Sequence, residues 1–282
     1  MTSRMDQVLA PGLYIVATPI GNLGDITLRA IETLRGVTMI ACEDTRVTGK
    51  LLRHLGITGK MVRYDDHASE ADRARLIDAM RHSPVALVSD AGTPLISDPG
   101  FRLVREARAA GVAITSLPGP SAAIVALTLS GLPSDRFLFA GFLPNKAKAR
   151  ADALAELAAV PATLIFYETA PRLGDALAAI REALPGRDVA VARELSKRFE
   201  ECRSGSASEL AAHYDAHPPK GEIVLMVGPP PDAPAPAAAD VDAMLLALLA
   251  TAKPSQAAAS VARETGLDRK ALYARALELR GR

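Results

Sequence analysis

From residue 12 to about residue 228 the chain alternates short apolar, β-branched runs with amphipathic stretches, a pattern that confines it to α/β folds with mostly parallel sheets. In the first half the pattern predicts strands at 13–17, 37–41, 85–89 and 113–117, with helices near 26–35, 71–82, 100–110 and 121–131. The first helix is punctuated by Asp25 as N-cap and Gly36 as the residue just past its end. After Pro133 the pattern restarts, with strands at 137–141, 163–167, 189–193 and 222–227 and helices at 147–159 and 172–183. Two lobes are expected, 12–118 and 119–228, divided near Pro118-Gly119-Pro120. A single large sheet is the alternative, and the near-central Pro/Gly break argues against it.

The stretch GPPPDAPAPAAAD that follows offers few backbone donors and almost no core-forming side chains, so 229–240 is expected to be an extended linker. Residues 241–282 then form a small helical module, with helices expected at 241–250, 255–265 and 268–279 and a break at Gly266. A small-residue helix, a glycine turn and a second helix make this helix-turn-helix-like. Seven basic residues (Lys253, Arg263, Arg269, Lys270, Arg275, Arg280 and Arg282) against four acidic ones give the module a net charge of +3, which favours a nucleic-acid contact. Three-helix modules also serve dimerisation, so both uses stay open.

The whole chain is nearly neutral, with 33 Lys and Arg against 32 Asp and Glu, so it has no global pull toward polyanions and any RNA binding must come from local patches. No apolar run approaches the ~20 residues of a membrane helix. The opening MTSRMDQVLA lacks a secretory apolar core, and Cys42 and Cys202 are too few for a disulfide scaffold. A reducing cytoplasm is the expected setting. There is neither a Cys/His cluster nor an H-E-x-x-H, so no metal site is expected. The five histidines lie in scattered polar contexts that read as surface.

Chemistry is concentrated just past the predicted strands. The first strand runs into Thr18-Pro19-Ile20-Gly21-Asn22-Leu23-Gly24-Asp25, the second into Glu43-Asp44-Thr45-Arg46, the third into Asp90-Ala91-Gly92-Thr93-Pro94, and the fourth into Pro118-Gly119-Pro120-Ser121. Ligands of open α/β sheets bind beyond the carboxyl ends of strands, so these clusters should meet along one edge. Neither G-x-G-x-x-G nor G-x-x-x-x-G-K-[ST] occurs, which disfavours a nicotinamide enzyme and a P-loop NTPase.

The ordered set LYIVATPIGNLGDITLRA, ACEDTR, VSDAGTPLISDPG, PGPSAAIVALTLSGLPSDRFLFAGFLP, IFYETAPR and GEIVLMVG resembles the tetrapyrrole-methylase-like methyltransferases, and in particular their branch that 2′-O-methylates a cytidine ribose in small-subunit (16S) ribosomal RNA. The resemblance spans about residues 12–228, and the helical module is similar to that branch's C-terminal segment. It implies a two-lobed α/β fold, S-adenosyl-L-methionine held in a cleft between the lobes, a homodimer, and 16S rRNA, within the small ribosomal subunit, as the partner. Carried over by motif, Pro19 stands on the first-lobe wall. Asp90, Gly92, Thr93 and Leu95 take the donor's amino-acid and ribose portions, and Ser121 and Ala122 begin the interlobe helix. Tyr167, Glu168, Arg193, Glu194 and Gly221 fall around the adenine. The chain departs from the small-molecule branch, which has a Gly-rich first loop, G-D-P in the second motif and a Tyr-Met pair. Here the corresponding residues are ATPIGN, G-T-P and Tyr167-Glu168.

Methyl transfer to a ribose hydroxyl calls for alignment and for a base or a cation at the forming alkoxide. The candidates are Glu43, Asp44 and Arg46 after the second strand, and Glu194, Lys197, Arg198 and Glu200 after the penultimate strand of the second lobe; Asp44, Arg46, Lys197 and Glu200 are the expected catalytic set. Each group also has a structural reading, as a salt-bridge cluster or a solvated charge run. Arg172 is expected to grip a phosphate or a carboxylate. Methylation of a tetrapyrrole or other small molecule, and RNA binding without catalysis, remain the alternative functions.

Overall fold

The computed structural model describes residues 8–65, 67–231 and 238–280. Among these, the residues up to 230 form one compact unit and those from 231 another. The first unit contains two five-stranded sheets.

The first sheet is wholly parallel. Its strands β1 (Gly12–Val16), β2 (Met39–Cys42), β3 (Met61–Arg63), β4 (Pro84–Val88) and β5 (Ile114–Leu117) lie in the order β3-β2-β4-β1-β5. Strands buried on both faces need apolar side chains at every position, and VALV of β4 meets that demand. Helices α1 (Leu28–Gly36) and α2 (Thr45–His54) cover one face through Leu34, Leu51 and Leu52; α3 (Glu70–His82) and α4 (Phe101–Ala109) cover the other through Leu76, Met80 and Leu103. Burying a leucine of this kind contributes about 2 kcal/mol.

The second sheet is mixed. Strands β6 (Phe137–Phe142), β7 (Thr163–Thr169), β8 (Val189–Arg193), β9 (Glu201–Gly205) and β10 (Glu222–Val227) take the order β6-β7-β10-β8-β9, and of the neighbouring pairs only β6–β7 is parallel. This corrects the expectation of mostly parallel sheets for the second half. The charge run 194–200 is a tight turn that folds β9 back on β8, and β10 then enters antiparallel between β7 and β8. Helix α5 (Ala122–Ser130) packs on one face of this sheet against Ile165, Ala190 and Met226. Helices α6 (Ala147–Leu157), α7 (Leu173–Ala183) and α8 (Ala207–Ala216) pack on the other, around Leu164, Phe166 and Leu225.

Further corrections are local. The N-cap of α1 is Thr27, whose hydroxyl accepts from the Ala30 N–H; Asp25 belongs to a short 3-10 turn capped by Asn22. Gly36 is the last helical residue, and the Val37 N–H closes the helix on the Thr33 carbonyl. Four elements went unanticipated: α2, β3, β9 and α8. The start of α8 carries a legible signal, a capping box in which Ser206 and Glu209 satisfy each other's backbone N–H groups.

In the second unit, α9 (Ala238–Leu249), α10 (Pro254–Thr265) and α11 (Arg269–Arg280) enclose a core of Val241, Leu245, Ala258, Val261, Leu272 and Ala276. Gly266 ends α10 in the left-handed conformation, as its place in the sequence anticipates. Arg275 is committed inside the module, pairing with Asp242 and Glu278 at 2.6 Å each. Of the expected linker, residues 232–237 lie outside the described residues, as does Arg282.

Candidate active site

The loops after β1 and β4 are stitched together by a pair of backbone hydrogen bonds. The Thr18 N–H donates to the Gly92 carbonyl at 2.9 Å, and the Gly92 N–H donates to the Thr18 carbonyl at 3.0 Å. Gly92 sits at φ 79°, a conformation that a β-branched residue strongly resists, and a Cβ there would touch Ile20 Cγ2 at 3.4 Å. The Thr93 hydroxyl donates to the Pro120 carbonyl at 2.9 Å, which ties the β4 loop to the segment entering α5.

These loops form one wall of a cavity of about 280 Å³, the size of a small organic ligand site. Ile20, Glu43 and the 90–98 loop line that wall; Ser121, the N-cap of α5, and Ala122 line the cavity as well, and Ser121 spends no side-chain hydrogen bond on capping the helix. The opposite wall is strand surface: Phe142, Tyr167, Glu168, Ala192 and residues 222–224, with Glu194, Leu195 and Lys197 of the β8–β9 turn at its side.

The turn is fastened to the first loop. Ser196 Oγ donates to the Asp25 carboxylate, and the Lys197 side chain lies over Gly21, where an added Cβ would collide with Lys197 Cε. Lys197 Nζ in turn reaches Glu194 Oε1 at 3.0 Å.

Charge in the cavity is one-sided. Six of its lining residues are acidic (Glu43, Asp90, Asp98, Glu168, Glu194 and Glu222) and one, Lys197, is basic. Burial pushes the Asp90 carboxyl above its usual range, and the nearby Asp44 charge adds to that shift, while the Asp44 N–H donates to Asp90 Oδ1 at 3.1 Å and opposes it. Burial likewise raises the Tyr167 phenol. Glu168 is wholly buried: its Oε1 accepts from the Thr169 N–H at 2.8 Å and pairs with Arg172 Nε at 3.1 Å, and its Oε2 has no hydrogen-bond partner among the described residues. A buried, unmatched carboxylate oxygen beside a cavity is the kind of acceptor a polar ligand satisfies. Arg172, expected to grip a phosphate or a carboxylate, is held by Glu168 and by the Leu143 carbonyl.

The residues expected at the site separate accordingly. Asp90, Gly92, Thr93, Ser121, Ala122, Tyr167, Glu168, Glu194 and Lys197 converge on the cavity. Pro19 is buried in its turn while the next residue, Ile20, presents the side chain. Leu95 packs toward the core of the first sheet and Ile96 faces the cavity. Gly221 stands one residue short of the lining Glu222, its carbonyl accepting from the Ala170 N–H at 3.3 Å. Arg193 pairs with Glu201 at 2.6 Å.

Asp44 and Arg46 stand outside the cavity lining. The Asp44 carboxylate caps α2, accepting from the Arg46 N–H at 2.7 Å, and forms a bidentate pair with an Arg46 side chain that is 86% exposed. The Arg46 side chain, and then its backbone N–H, hold the Asp44 carboxyl down at about 2, too low for an effective base near neutral pH. Glu43, its neighbour, lines the cavity instead. Glu200 accepts from the Ser196 N–H at 2.7 Å and shapes the turn. Sequence reasoning passed over Phe142, Asp98 and Glu222. Phe142 ends a strand beside this edge, so the carboxyl-end rule could have found it; the motif GEIVLMVG spans β10 but does not say which of its residues face the cavity.

Two α/β lobes, each built on a five-stranded sheet, with a cavity lined from both define the class. Residues 12–211 match the family described as Tetrapyrrole (Corrin/Porphyrin) Methylases, and residues 235–280 match the RsmI C-terminal HTH domain. Among solved structures, diphthine synthase superposes with a TM-score of 0.62 at 16% identity, covering 77% of this chain and 89% of that one. Uroporphyrin-III-C-methyltransferase from Thermus thermophilus gives 0.56 at 24% identity, covering 78% and 94%; both likenesses are of fold. The chain belongs to the tetrapyrrole methylase family and, within it, to the group of the ribosomal RNA small subunit methyltransferases I. A protein of that name from Erythrobacter litoralis (strain HTCC2594) is 66% identical over 272 residues, 96% of each chain. Another from Escherichia coli O157:H7 is 48% identical over 279 residues, covering 95% of this chain and 96% of that one.

Proposed function

We propose that the chain transfers the methyl group of S-adenosyl-L-methionine to the ribose 2′-oxygen of a cytidine in 16S ribosomal RNA. The observation that carries the donor half is the cavity's charge, six acidic residues against one lysine, which suits a ligand bearing a sulfonium and an ammonium. Asp90, Glu168 and the main chain around Gly92 would hold the donor, with Tyr167 and Phe142 as aromatic walls for its adenine and the N-terminal end of α5 for its carboxylate. When bound, the donor supplies an electrophilic methyl group. The names of the full-length relatives and the matched C-terminal domain support the RNA half.

Within this reading Lys197 is the catalytic cation. It is the lysine that lines the cavity, and it stabilises negative charge forming on the ribose oxygen, while Glu194 Oε1, 3.0 Å from its ammonium, receives the hydroxyl proton. Asp44 acts by capping α2 and, through its N–H, by orienting Asp90. The enzyme works in the cytoplasm, where ribosomal subunits are made; no helix among the described residues is long and apolar enough to cross a membrane. A homodimer is part of the proposal, supported by the edge strand β6, whose Phe137 and Phe142 are exposed together with Ile124 and Leu129 of α5.

Methyl transfer to isolated small ribosomal subunits, free 16S rRNA and a uroporphyrin-type tetrapyrrole, compared at one donor concentration, tests the assignment. Transfer to ribosomal RNA is expected; transfer to the tetrapyrrole alone would move the chain to the small-molecule branch.

A further inference from the structure

Aromatic side chains are scarce here, 4% of the chain with no tryptophan, yet two of the six phenylalanines are about two-thirds exposed: Phe101 at 65% and Phe199 at 67%. Leaving a phenylalanine in water sacrifices burial energy, so its position calls for a reason. Each follows directly on a segment that lines the cavity. Phe101 opens α4 three residues after Asp98, and Phe199 stands two residues after Lys197 in the β8–β9 turn. Each has an arginine over its ring, Arg105 at 5.7 Å and Arg198 at 5.5 Å from the centroid.

The mount beneath Phe199 is rigid and strained. Glu194 and Ser196 adopt φ 50° and 64°, left-handed values that non-glycine residues seldom hold. The turn is fixed by the Ser196 N–H to Glu200 bond at 2.7 Å, the Lys197–Glu194 pair and the Ser196 hydroxyl on Asp25. A backbone constrained in this way presents its exposed ring in one place, as a binding platform requires.

We infer that Phe199 with Arg198, and Phe101 with Arg105, are stacking platforms at the two rims of the cavity, each taking an unpaired nucleobase next to the nucleotide being methylated. The inference rests on the proposed RNA substrate. A ring face offers every base a sequence-tolerant stacking surface, and a guanidinium beside it attracts the adjoining phosphate. The six acidic residues that suit the donor repel a phosphate backbone, so RNA must be drawn in from outside the cavity. Platforms at the rim supply that hold without placing cations beside a cationic donor.

The test uses the full chain with isolated small ribosomal subunits as the RNA probe. Phe199→Ala and Phe101→Ala are each expected to weaken subunit binding about tenfold, with donor affinity by calorimetry and the rate at saturating subunits within twofold of the parent. Phe199→Trp should restore binding. The dependence of affinity on salt should stay unchanged for the phenylalanine variants and flatten for Arg198→Gln, which removes a phosphate contact. Parent-like subunit affinity in both folded alanine variants overturns the inference while leaving the methyltransferase reading intact. So does weakened binding that accompanies a change of oligomeric state in light scattering and is not rescued by tryptophan, an outcome that makes the rings an interface between copies of this chain. A parent that methylates no RNA overturns the functional reading and this inference together.

Discussion

The two walls of the cavity are made of different material. The first-sheet wall is loop, where parallel strands ending at one edge release main-chain N–H and carbonyl groups, and its shape is set by the Thr18–Gly92 stitch and the Thr93–Pro120 bond. The second-sheet wall is pleated surface, on which Tyr167, Ala192 and Val224 stand on neighbouring strands and Glu168 is locked to Arg172. A loop wall is vulnerable to a single added carbon, whereas a strand wall is vulnerable to a change of charge. The first sheet presents the loops at the carboxyl ends of its parallel strands, whereas the second presents residues of β7, β8 and β10 themselves, with the β8–β9 turn beside them.

The contrast is sharpest at Gly92. Gly92→Val forces a β-branched residue into φ 79° and against Ile20, and is expected to weaken donor binding about a hundredfold in a chain that still folds. Calorimetry showing parental affinity in the folded variant would take this turn out of the site.

On the strand wall, Glu168→Gln should act on stability as much as on binding, because it leaves Arg172 without its anionic partner. Arg172 is about a quarter exposed, so water recovers part of the loss, and a destabilisation of about 2 kcal/mol is expected in urea unfolding. An unfolding midpoint equal to that of the parent would mean that the pair is not holding the wall.

A chain ending at residue 230 retains the whole first unit and should bind the donor as the full chain does. Its affinity for small subunits should fall, and fall less steeply with salt, if Lys253, Arg263, Arg269, Lys270 and Arg280 meet phosphates. Arg275, already paired twice, is not counted among them. Equal affinities and equal salt slopes would assign the module a structural or dimerising part.

The smallest effect is expected at Asp44. Its carboxyl is held at about 2, below its usual 3.8, so the stability it contributes is present above that usual value and is lost only as pH falls toward 2. Asparagine is also a good N-cap. Asp44→Asn should therefore leave the single-turnover rate and its pH profile between about 5 and 9 as in the parent. Loss of a rate-controlling ionisation in that window would restore Asp44 as the base.

The loop wall was legible in the sequence because its requirements are local: ATPIGN, EDTR and DAGTP put their glycines and carboxylates directly after apolar runs. Even there the reading slipped by one residue, choosing Asp44 over Glu43, Pro19 over Ile20 and Leu95 over Ile96. Which of two adjacent side chains faces a cavity is settled by the turn's path, which a motif does not encode. On the second-sheet side the family resemblance named Tyr167 and Glu168 and, in the turn beside them, Glu194; it reached β10 through GEIVLMVG but singled out Gly221 there. Glu222 and Val224 depend on β10 entering antiparallel between β7 and β8, a pairing between strands far apart in sequence. The missed β9 is short and polar and lies at a sheet edge, so it has no hydrophobic period to betray it.

The central claim, that an acidic cavity between a loop wall and a strand wall delivers a methyl group to a ribosomal ribose, is tested most directly by locating the methyl group. Small ribosomal subunits are incubated with the chain and methyl-labelled S-adenosyl-L-methionine, and the 16S rRNA is digested to nucleosides and separated. The account predicts label in 2′-O-methylcytidine, lost in the Lys197→Ala variant while donor binding persists. Label on a base, label in ribosomal protein, or no transfer from a chain that binds the donor would contradict it.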